Sequence, residues 1–106
     1  MIYIVDIDET ICFYDGERNY PDAKPIKKNI EKINKLYDDG HEIIYWTGRG
    51  TITDIDWRDV TENQLSAWGA KYHQLKLKKP NYDVFICDKA INTDRFFEDT
   101  ENCINI

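Results

Sequence analysis

Short apolar runs rich in β-branched residues alternate along this chain with segments whose apolar residues recur at helical spacing. Strands that alternate with helices are typical of right-handed crossover connections in a mainly parallel sheet. The pattern therefore predicts an α/β fold with helices on both faces of the sheet and ligands at the carboxyl ends of the strands. The four predicted strands cover residues 2–7, 42–46, 72–77 and 83–87, and the two predicted helices cover residues 25–37 and 57–68.

Turn-forming residues mark the ends of the predicted helices. Pro25 suits the first position of a helix. For the second helix, Asp54 or Asp56 is the predicted N-cap and Gly69 the predicted end. The polar residues 8–24 are expected to form a small hairpin or flap, and a short final helix and strand are expected after the fourth strand.

The length and the net charge of the chain limit the number of domains it can form and the kinds of ligand it can bind. Its 106 residues, 42% of them hydrophobic, suit one Rossmann-like domain of three α/β/α layers spanning residues 1–106, with no room for a cap domain. Lys and Arg total 14 against 20 Asp and Glu, which gives a net charge of -6. Because binding to a phosphate backbone depends on clustered basic residues, a generic nucleic-acid binder is disfavoured. A small anionic substrate remains compatible, since a bound cation can invert the local field.

The cysteines and the N-terminus bear on location. Cys12, Cys87 and Cys103 are odd in number and widely spaced, without the clustering that zinc requires. We expect free thiols in a reducing compartment. No apolar run approaches the length of a membrane span, and the N-terminus lacks a signal-type pattern. The expected location is therefore cytoplasmic, whereas the oligomeric state is not readable from the sequence.

The segment Asp6-Ile7-Asp8-Glu9-Thr10 follows the first apolar run directly. In an extended strand Asp6 and Asp8 point the same way, roughly 6.6 Å apart along the chain. Neighbouring carboxylates repel each other, and a hard cation such as Mg²⁺ relieves that repulsion through oxygen ligands. One carboxylate can then attack phosphorus while the other handles a proton. The alternative interpretation is a solvated strand end followed by a turn.

Thr47 also stands at the end of an apolar run, in the sequence Thr47-Gly48-Arg49-Gly50. Its hydroxyl and the amides around Gly48 suit phosphate oxygens, because glycine lets the backbone approach closely. Arg49 is a candidate for a bidentate phosphate clamp. The alternative interpretation is an ordinary turn.

Further charged candidates surround the fourth predicted strand. Asp88 follows that strand and is a candidate third carboxylate for a cation site with Asp6. Upstream, Lys76, Lys78 and Lys79 form a basic patch, and one of them is a candidate for neutralising a phosphorylated aspartate. The alternative for these lysines is a solvated edge.

The chain has an acid pair after the first strand, a threonine after the second, and a lysine and an aspartate around the fourth. This order of motifs resembles that of the haloacid dehalogenase-like superfamily of aspartate-nucleophile phosphatases. The resemblance covers nearly the whole chain, and its most specific element is the DxDxT signature, matched by Asp6, Asp8 and Thr10. Residues 71–92 are similar to short, capless members, some linked to polysaccharide or capsule biosynthesis. In those members a Lys-Pro pair precedes a Tyr-Asp-apolar strand, which selects Lys79 as the family lysine.

The resemblance implies a Mg²⁺-dependent phosphomonoester hydrolase that acts on a small phosphorylated metabolite such as a sugar phosphate or nucleotide. Asp6 would become a transient aspartyl-phosphate, Asp8 would act as acid and then base, and Thr47 and Lys79 would bind phosphoryl oxygens. The implied substrate-binding residues are Thr10, Gly48 and Arg49, with Tyr14, Arg18, Tyr20 and Trp57 as further candidates near the site. The implied metal ligands are Asp6, Asp8 through its backbone carbonyl, and Asp88.

One departure from the family pattern keeps other functions open. The fourth motif often carries two adjacent acids, and here Cys87 takes the first place before Asp88, with Asp94 a candidate to assist. A catalytically degenerate module that binds a partner protein is the main rival. A receiver domain would need its phosphoacceptor aspartate at the end of the third strand, where the sequence YHQLKL offers none. A nucleic-acid 3′-phosphatase remains within the enzyme class.

Overall fold

The computed structural model describes residues 1–98. Its largest sheet has three strands in the order β1-β4-β5, all parallel. Tyr3 lies opposite Ile43 between β1 and β4, and Ile44 lies opposite Gln74 between β4 and β5. This arrangement confirms the predicted α/β class. The elements are β1 (Ile2–Val5), β2 (Cys12–Phe13), β3 (Lys24–Pro25), α1 (Lys27–Asp38), β4 (Glu42–Trp46), α2 (Arg58–Ala67) and β5 (Gln74–Lys76).

The core lies on one face of the sheet. Successive side chains on a strand point to opposite faces, so Tyr3 and Val5 share a face while Ile2 and Ile4 share the other. The first face packs into the main apolar cluster with residues from α1 and α2. On the second face Ile2 is 67% exposed and Ile4 61% exposed. The buried members of the cluster are Val5, Ile7, Ile11, Cys12, Ile30, Ile33, Ile43, Tyr45, Leu65 and Phe97.

The first helix begins two residues later than predicted. Pro25 lies opposite Cys12 in a two-residue antiparallel ladder between β2 and β3, and Ile26 donates its N–H to the carbonyl of Ile11. These contacts hold the chain extended through Ile26, so α1 starts at Lys27. The polar residues before it form the predicted flap, which contains a short 3₁₀ turn over Tyr20–Asp22.

The helix α2 starts and ends one residue inside its predicted bounds, and its N-cap is Trp57, so the prediction of Asp54 or Asp56 as N-cap was wrong. The carboxylate of Asp56 accepts the N–H of Arg58 at 3.0 Å, which satisfies one of the free donors at the start of the helix. Asp54 instead pairs with Lys78. Gly69 adopts a positive φ of 72° just past the end of α2, which is the conformation that glycine favours at a helix C-terminus.

Two predicted strands differ from the structure. The third is shorter than predicted, because only Gln74–Lys76 pairs with β4. The fourth, predicted over residues 83–87, does not form: these residues are irregular and exposed, with Val84 74% and Ile86 93% exposed. A strand needs a pairing partner as well as apolar residues, and no described strand pairs with this run.

The end of the described chain is helical. Residues 93–98 are helical, in the region of the predicted final helix, whereas the predicted final strand and Cys103 lie outside the described residues. Within residues 1–98, none of the helices combines the length and apolar character needed to cross a membrane.

Candidate active site

A cleft of about 280 Å³ lies at the carboxyl end of β1, where ligands are expected in an open parallel sheet. Its lining includes three acids of the first motif, two basic residues and two tyrosines. A larger hollow elsewhere, lined partly by residues 92–98, includes neither Asp6 nor Asp8. The cleft is lined by Asp6, Asp8, Glu9, Arg18, Tyr20, Gly48, Thr51, Ile52, Lys79, Pro80, Asn81 and Tyr82.

The backbone after β1 turns sharply, which brings the acid pair of the first motif to the cleft. The carbonyl of Ile7 accepts the N–H groups of Thr10 and Ile11, at 3.1 and 2.9 Å. Glu9 adopts a positive φ of 63°, a conformation uncommon for a residue other than glycine. The strand therefore ends at Val5 and does not extend to Ile7.

Asp6 has the features of an available carboxylate. Its Oδ1 accepts the backbone N–H of Ile7 at 2.9 Å, which orients the side chain. Among residues 1–98 it forms no ion pair within 4.0 Å. Burial raises the pKa of Asp6 above its ordinary value, although the Ile7 N–H and the positive charge of Lys79 act in the opposite direction.

Asp8 is engaged on both of its oxygens. Arg49 Nη2 donates to Oδ1 at 2.9 Å, and Arg49 Nε donates to Oδ2 at 3.2 Å, giving a two-pronged pair. Tyr14 also donates its hydroxyl to Oδ1, at 2.5 Å. On the far side of the guanidinium group, Nη1 donates to Thr61 at 3.1 Å and to Gln64 at 2.6 Å. We call Asp8, Tyr14, Arg49, Thr61 and Gln64 the buried network.

The charges of the buried network stabilise each other. Burial by itself would raise the pKa of Asp8, but the hydrogen bonds and charge of Arg49, together with the Tyr14 hydroxyl, lower this pKa below its ordinary value. Burial opposes the charge of Arg49, yet Asp8 raises the pKa of that guanidinium group above its ordinary value. Asp8 and Arg49 are therefore an ionised pair.

Arg49 does not serve as the predicted phosphate clamp. Its side chain is 0% exposed, it does not line the cleft, and all three of its nitrogen atoms donate to protein groups. The ring of Tyr20, which does line the cleft, lies 4.8 Å from the guanidinium carbon. The sequence placed Arg49 at the right strand end, but the turn after β4 directs its side chain inward.

Two predicted threonine ligands are also buried. Thr47 is 0% exposed, and its hydroxyl accepts the N–H of Arg49 at 3.2 Å, which shapes the turn. The Thr10 hydroxyl lies 2.9 Å from that of Thr93, so it connects the first motif to residues 93–98. Neither residue lines the cleft, and the predicted contact of each with phosphate is not supported.

Lys79 is placed in the cleft with Gly48, as the sequence predicted. Its backbone N–H donates to the carbonyl of Thr47, and its carbonyl accepts the Thr51 hydroxyl at 2.6 Å. Lys78 instead faces Asp54, and Lys76 belongs to β5. Of the three candidate lysines, only Lys79 lines the cleft.

The predicted set of three metal-binding acids is not brought together. Asp88 lies in an exposed turn and does not line the cleft, because the strand that was to carry it there does not form. Asp94 lines the larger hollow and has no place beside Asp6. Within the described chain, no group of three or more His, Cys, Asp or Glu side chains converges as a metal site.

A hard cation still suits the donors that are present. Asp6 offers a carboxylate in the cleft that forms no ion pair within residues 1–98. The side chain of Asp8 is taken by Arg49, so only the main-chain carbonyl of Asp8 is compatible with the implied ligand role. Oxygen donors of this kind are what Mg²⁺ prefers.

Several residues of the site escaped sequence reasoning. Thr51, Asn81 and Tyr82 line the cleft, and Thr61 and Gln64 hold Arg49. Thr51 follows the turn after β4 closely enough for strand-end reasoning to have found it. Thr61 and Gln64 lie three residues apart on α2 and carried no signal, since polar residues on a helix normally face solvent.

Comparison with known proteins identifies the fold. No family model and no curated protein sequence matches the chain. A crystal structure of a Vibrio cholerae protein, known by a target designation alone, is similar with a TM-score of 0.79 and 21% identity over 98% of this chain and 96% of that one. A chain of a Pnkp1/Rnl/Hen1 complex is similar with a TM-score of 0.60 and 18% identity, and the likeness covers 92% of this chain but 33% of that chain. At these identities the likeness shows a shared α/β fold.

Proposed function

We propose that this chain is a phosphomonoester hydrolase in which Asp6 is the nucleophile. The observation that carries the proposal is that Asp6 and Lys79 line one cleft at the carboxyl end of β1. Asp6 is oriented by the Ile7 amide and free of ion pairs within the described chain, as a nucleophilic carboxylate must be. Lys79 supplies a positive charge where phosphoryl oxygens would lie.

The proposed reaction has two steps. In the first, a carboxylate oxygen of Asp6 forms a bond to phosphorus, and the bond from phosphorus to the alcohol oxygen breaks. In the second, water attacks the aspartyl-phosphate, phosphate leaves, and the Asp6 carboxylate is restored. Bound Mg²⁺, held by the Asp6 carboxylate and the Asp8 carbonyl, would supply charge that stabilises the phosphoryl oxygens.

Asp8 is suited to the second step. Its carboxylate is ionised beside Arg49, so it can accept a proton from the attacking water. Donating a proton to the leaving alcohol requires protonation of Asp8 against the charge of Arg49. We therefore expect esters of acidic alcohols, which leave without a proton, to react fastest.

The test is hydrolysis of 4-nitrophenyl phosphate with Mg²⁺ or with a chelator, comparing the native chain with Asp6→Asn. Asp83→Asn is the matched control, because Asp83 is exposed and outside the cleft. We expect Mg²⁺-dependent turnover that Asp6→Asn abolishes and Asp83→Asn retains. Capture of a hydroxylamine-labile phosphoryl group on the native chain would identify the aspartyl-phosphate. Full activity in Asp6→Asn would rule out Asp6 as the nucleophile.

A second candidate is a phosphate-binding module without turnover. It is favoured by the position of Asp88, which lies outside the cleft, and by the loss of an adjacent acid at Cys87. In that case inorganic phosphate would bind to the native chain and lose affinity in Lys79→Ala, while no ester would be hydrolysed. A substrate panel of sugar phosphates, nucleotides and 3′-phosphorylated oligonucleotides separates this outcome from narrow specificity.

A further inference from the structure

The contacts of Arg49 are those of a residue that acts through Asp8. Two of its nitrogen atoms hold the two oxygens of that carboxylate, at 2.9 and 3.2 Å. Paired, nearly parallel hydrogen bonds of this kind fix the orientation of a carboxylate as well as its charge. A lysine at the same position would supply the charge but not the fixed fork.

Arg49 is itself held from the opposite side. Thr61 and Gln64, both on α2, accept hydrogen bonds from its Nη1 at 3.1 and 2.6 Å. Thr61 is in turn fixed, since its hydroxyl donates to the carbonyl of Trp57 at 2.7 Å. The guanidinium plane therefore has little freedom to rotate, and Asp8 is connected through it to the backbone of a helix.

The flap is connected to the same group. Tyr14 donates to Asp8, and the amide nitrogen of Gln64 donates to the carbonyl of Tyr20 at 2.5 Å. The ring of Tyr20 also packs edge-on against Trp57, with the ring centres 5.1 Å apart. Arg49 thus lies where the flap, α2 and the first motif meet.

We propose that Arg49 is a positioning residue that, held by Thr61 and Gln64, fixes the Asp8 carboxylate in the orientation needed for proton transfer. The inference rests on the proposed function, since it gives Arg49 a role in that same reaction. In this role Arg49 does not bind the substrate, and it affects the reaction by holding Asp8. The two roles predict different kinetics.

The kinetic test compares Arg49→Met and Arg49→Lys with the native chain on aryl phosphates whose leaving phenols differ in acidity. Asp8 accepts a proton from water in the second step, which limits kcat when the phenol leaves readily, so Arg49→Met should lower kcat about 100-fold for the most acidic phenol and under about fivefold for the least acidic. The phosphoryl group on Asp6 should then accumulate, and kcat/KM, which reports the first step, should stay within about twofold of the native value. Arg49→Lys should recover part of kcat for the most acidic phenols. Arg58→Lys, an exposed arginine of α2 paired with Glu62, is the matched control and should leave every rate unchanged.

Two kinetic outcomes would overturn the inference. An equal fall in kcat/KM for all esters would make Arg49 a substrate ligand. A fall in kcat for the most acidic phenol without accumulation of the phosphoryl group on Asp6 would make its role structural alone. A native chain that hydrolyses no ester would count against the proposed function instead, which separates the two failures.

A double-mutant cycle tests the positioning without turnover. Asp8→Asn, Arg49→Met and the double variant are compared with the native chain by urea unfolding. If the two residues are coupled, the double variant loses less free energy of unfolding than the two single variants lose together. We expect this coupling to correspond to at least about tenfold in the unfolding equilibrium constant. Additive effects would show that Arg49 does not hold Asp8 and would overturn the inference. Where a single variant does not fold, Arg49→Lys with Asp8→Asn completes the cycle.

Discussion

We call residues 80–92 the open segment. Side chains of the buried network have hydrogen-bond partners from several parts of the chain, whereas side chains of the open segment are exposed to solvent. In the network, a buried arginine has a hydrogen-bond acceptor for each of its nitrogen atoms, drawn from the flap, the first motif and α2. In the open segment every residue is exposed, including large apolar side chains such as Phe85 and Ile86. The difference shows that an apolar composition does not by itself bury the side chains of a segment, because burial also needs partners from distant parts of the chain.

The two regions meet at the cleft. Asp8 belongs to the network, whereas Lys79 stands immediately before the open segment and Tyr82 within it. Asp6 lies between them with an oriented carboxylate and no ion pair among the described residues. The proposed site therefore has one wall that is held by buried hydrogen bonds and one wall that is exposed.

The largest expected contrast is in thiol reactivity. Cys12 is fully buried, and burial followed by the charge of Asp8 raises its pKa to about 12, whereas Cys87 is exposed in the open segment. At pH 8 a thiol with that pKa is only about 1 part in 10,000 thiolate, so its labelling should be slower by at least about 1,000-fold than that of an ordinary exposed thiol.

The measurement is labelling by iodoacetamide at pH 8 in a Cys103→Ser background, followed by mass analysis of the two sites. Cys87 should be labelled first, and Cys12 only after urea unfolds the chain. Equal rates at both sites in the folded protein would contradict the contrast.

The two acids of the first motif should differ in their effect on stability. Asp8→Asn leaves the buried Arg49 charge without its partner and should cost about 3–5 kcal/mol of the free energy of unfolding. Asp6→Asn removes a buried carboxylate that lacks an ion pair, so the variant should be at least as stable as the native chain. Urea unfolding at pH 7 measures both; a greater loss in Asp6→Asn than in Asp8→Asn would contradict the described contacts.

The contributions of Asp6 and Asp8 to the free energy of unfolding should depend on pH in opposite directions. The folded pKa of Asp8 is lowered, so its contribution to stability is present above the unfolded pKa of about 3.9 and is lost as the pH falls through the lower folded value. The folded pKa of Asp6 is raised, so protonation of Asp6 favours the folded state as the pH falls through that value, and the gain is complete below the unfolded pKa. The acid side of the native stability curve should therefore flatten in Asp8→Asn and steepen in Asp6→Asn.

Much of the fold could be predicted from the sequence because the signals are local. The apolar runs of β1 and β4 and the helical spacing of Ile30 and Ile33 each report on the residues that carry them. The open segment has an equally apolar run, yet a strand also requires a partner, and no local pattern specifies one. For the same reason Asp88 was expected in the cleft and is found in an exposed turn.

The site was predicted only as far as strand ends determine it. Asp6, Gly48 and Lys79 lie near the ends of predicted strands, and all three line the cleft. Arg49 and Thr10 point elsewhere because side-chain direction after a strand depends on the turn. The turn that carries Thr10 is set by the bonds to the Ile7 carbonyl and by the positive φ of Glu9, and the turn that carries Arg49 is shaped by the bond from its N–H to the Thr47 hydroxyl. None of these leaves a sequence pattern.

Truncation of isoleucine should sharpen the comparison between packed and exposed apolar residues. Ile43 is 0% exposed in the centre of β4, whereas Ile86 is 93% exposed. Ile43→Ala should cost about 3 kcal/mol through lost burial and a cavity, and Ile86→Ala should stay within about 0.5 kcal/mol. Urea unfolding of both variants is the measurement, and a comparable loss in Ile86→Ala would show that the open segment packs in solution.

The smallest expected effect concerns the junction of the two regions. The Thr51 hydroxyl holds the carbonyl of Lys79, the last residue before the open segment. Thr51→Val should cost about 1 kcal/mol and raise amide exchange at Lys79, whose N–H donates to the carbonyl of Thr47. Thr53→Val is the matched control, since Thr53 is exposed and accepts only a long bond of 3.5 Å from Ile55. Unchanged exchange in Thr51→Val would locate the junction elsewhere.

The short ladder between β2 and β3 makes the flap a site where chain length can vary freely. Its last pair joins Phe13 to Lys24, so the intervening residues leave and return at adjacent points of the backbone. Lengthening a loop of this kind is inexpensive, about 0.6 kcal/mol for each doubling. Gly16 lies in the loop with open space around its Cβ position. A folded module with adjacent termini inserted there would leave the strand pairing of the sheet unchanged.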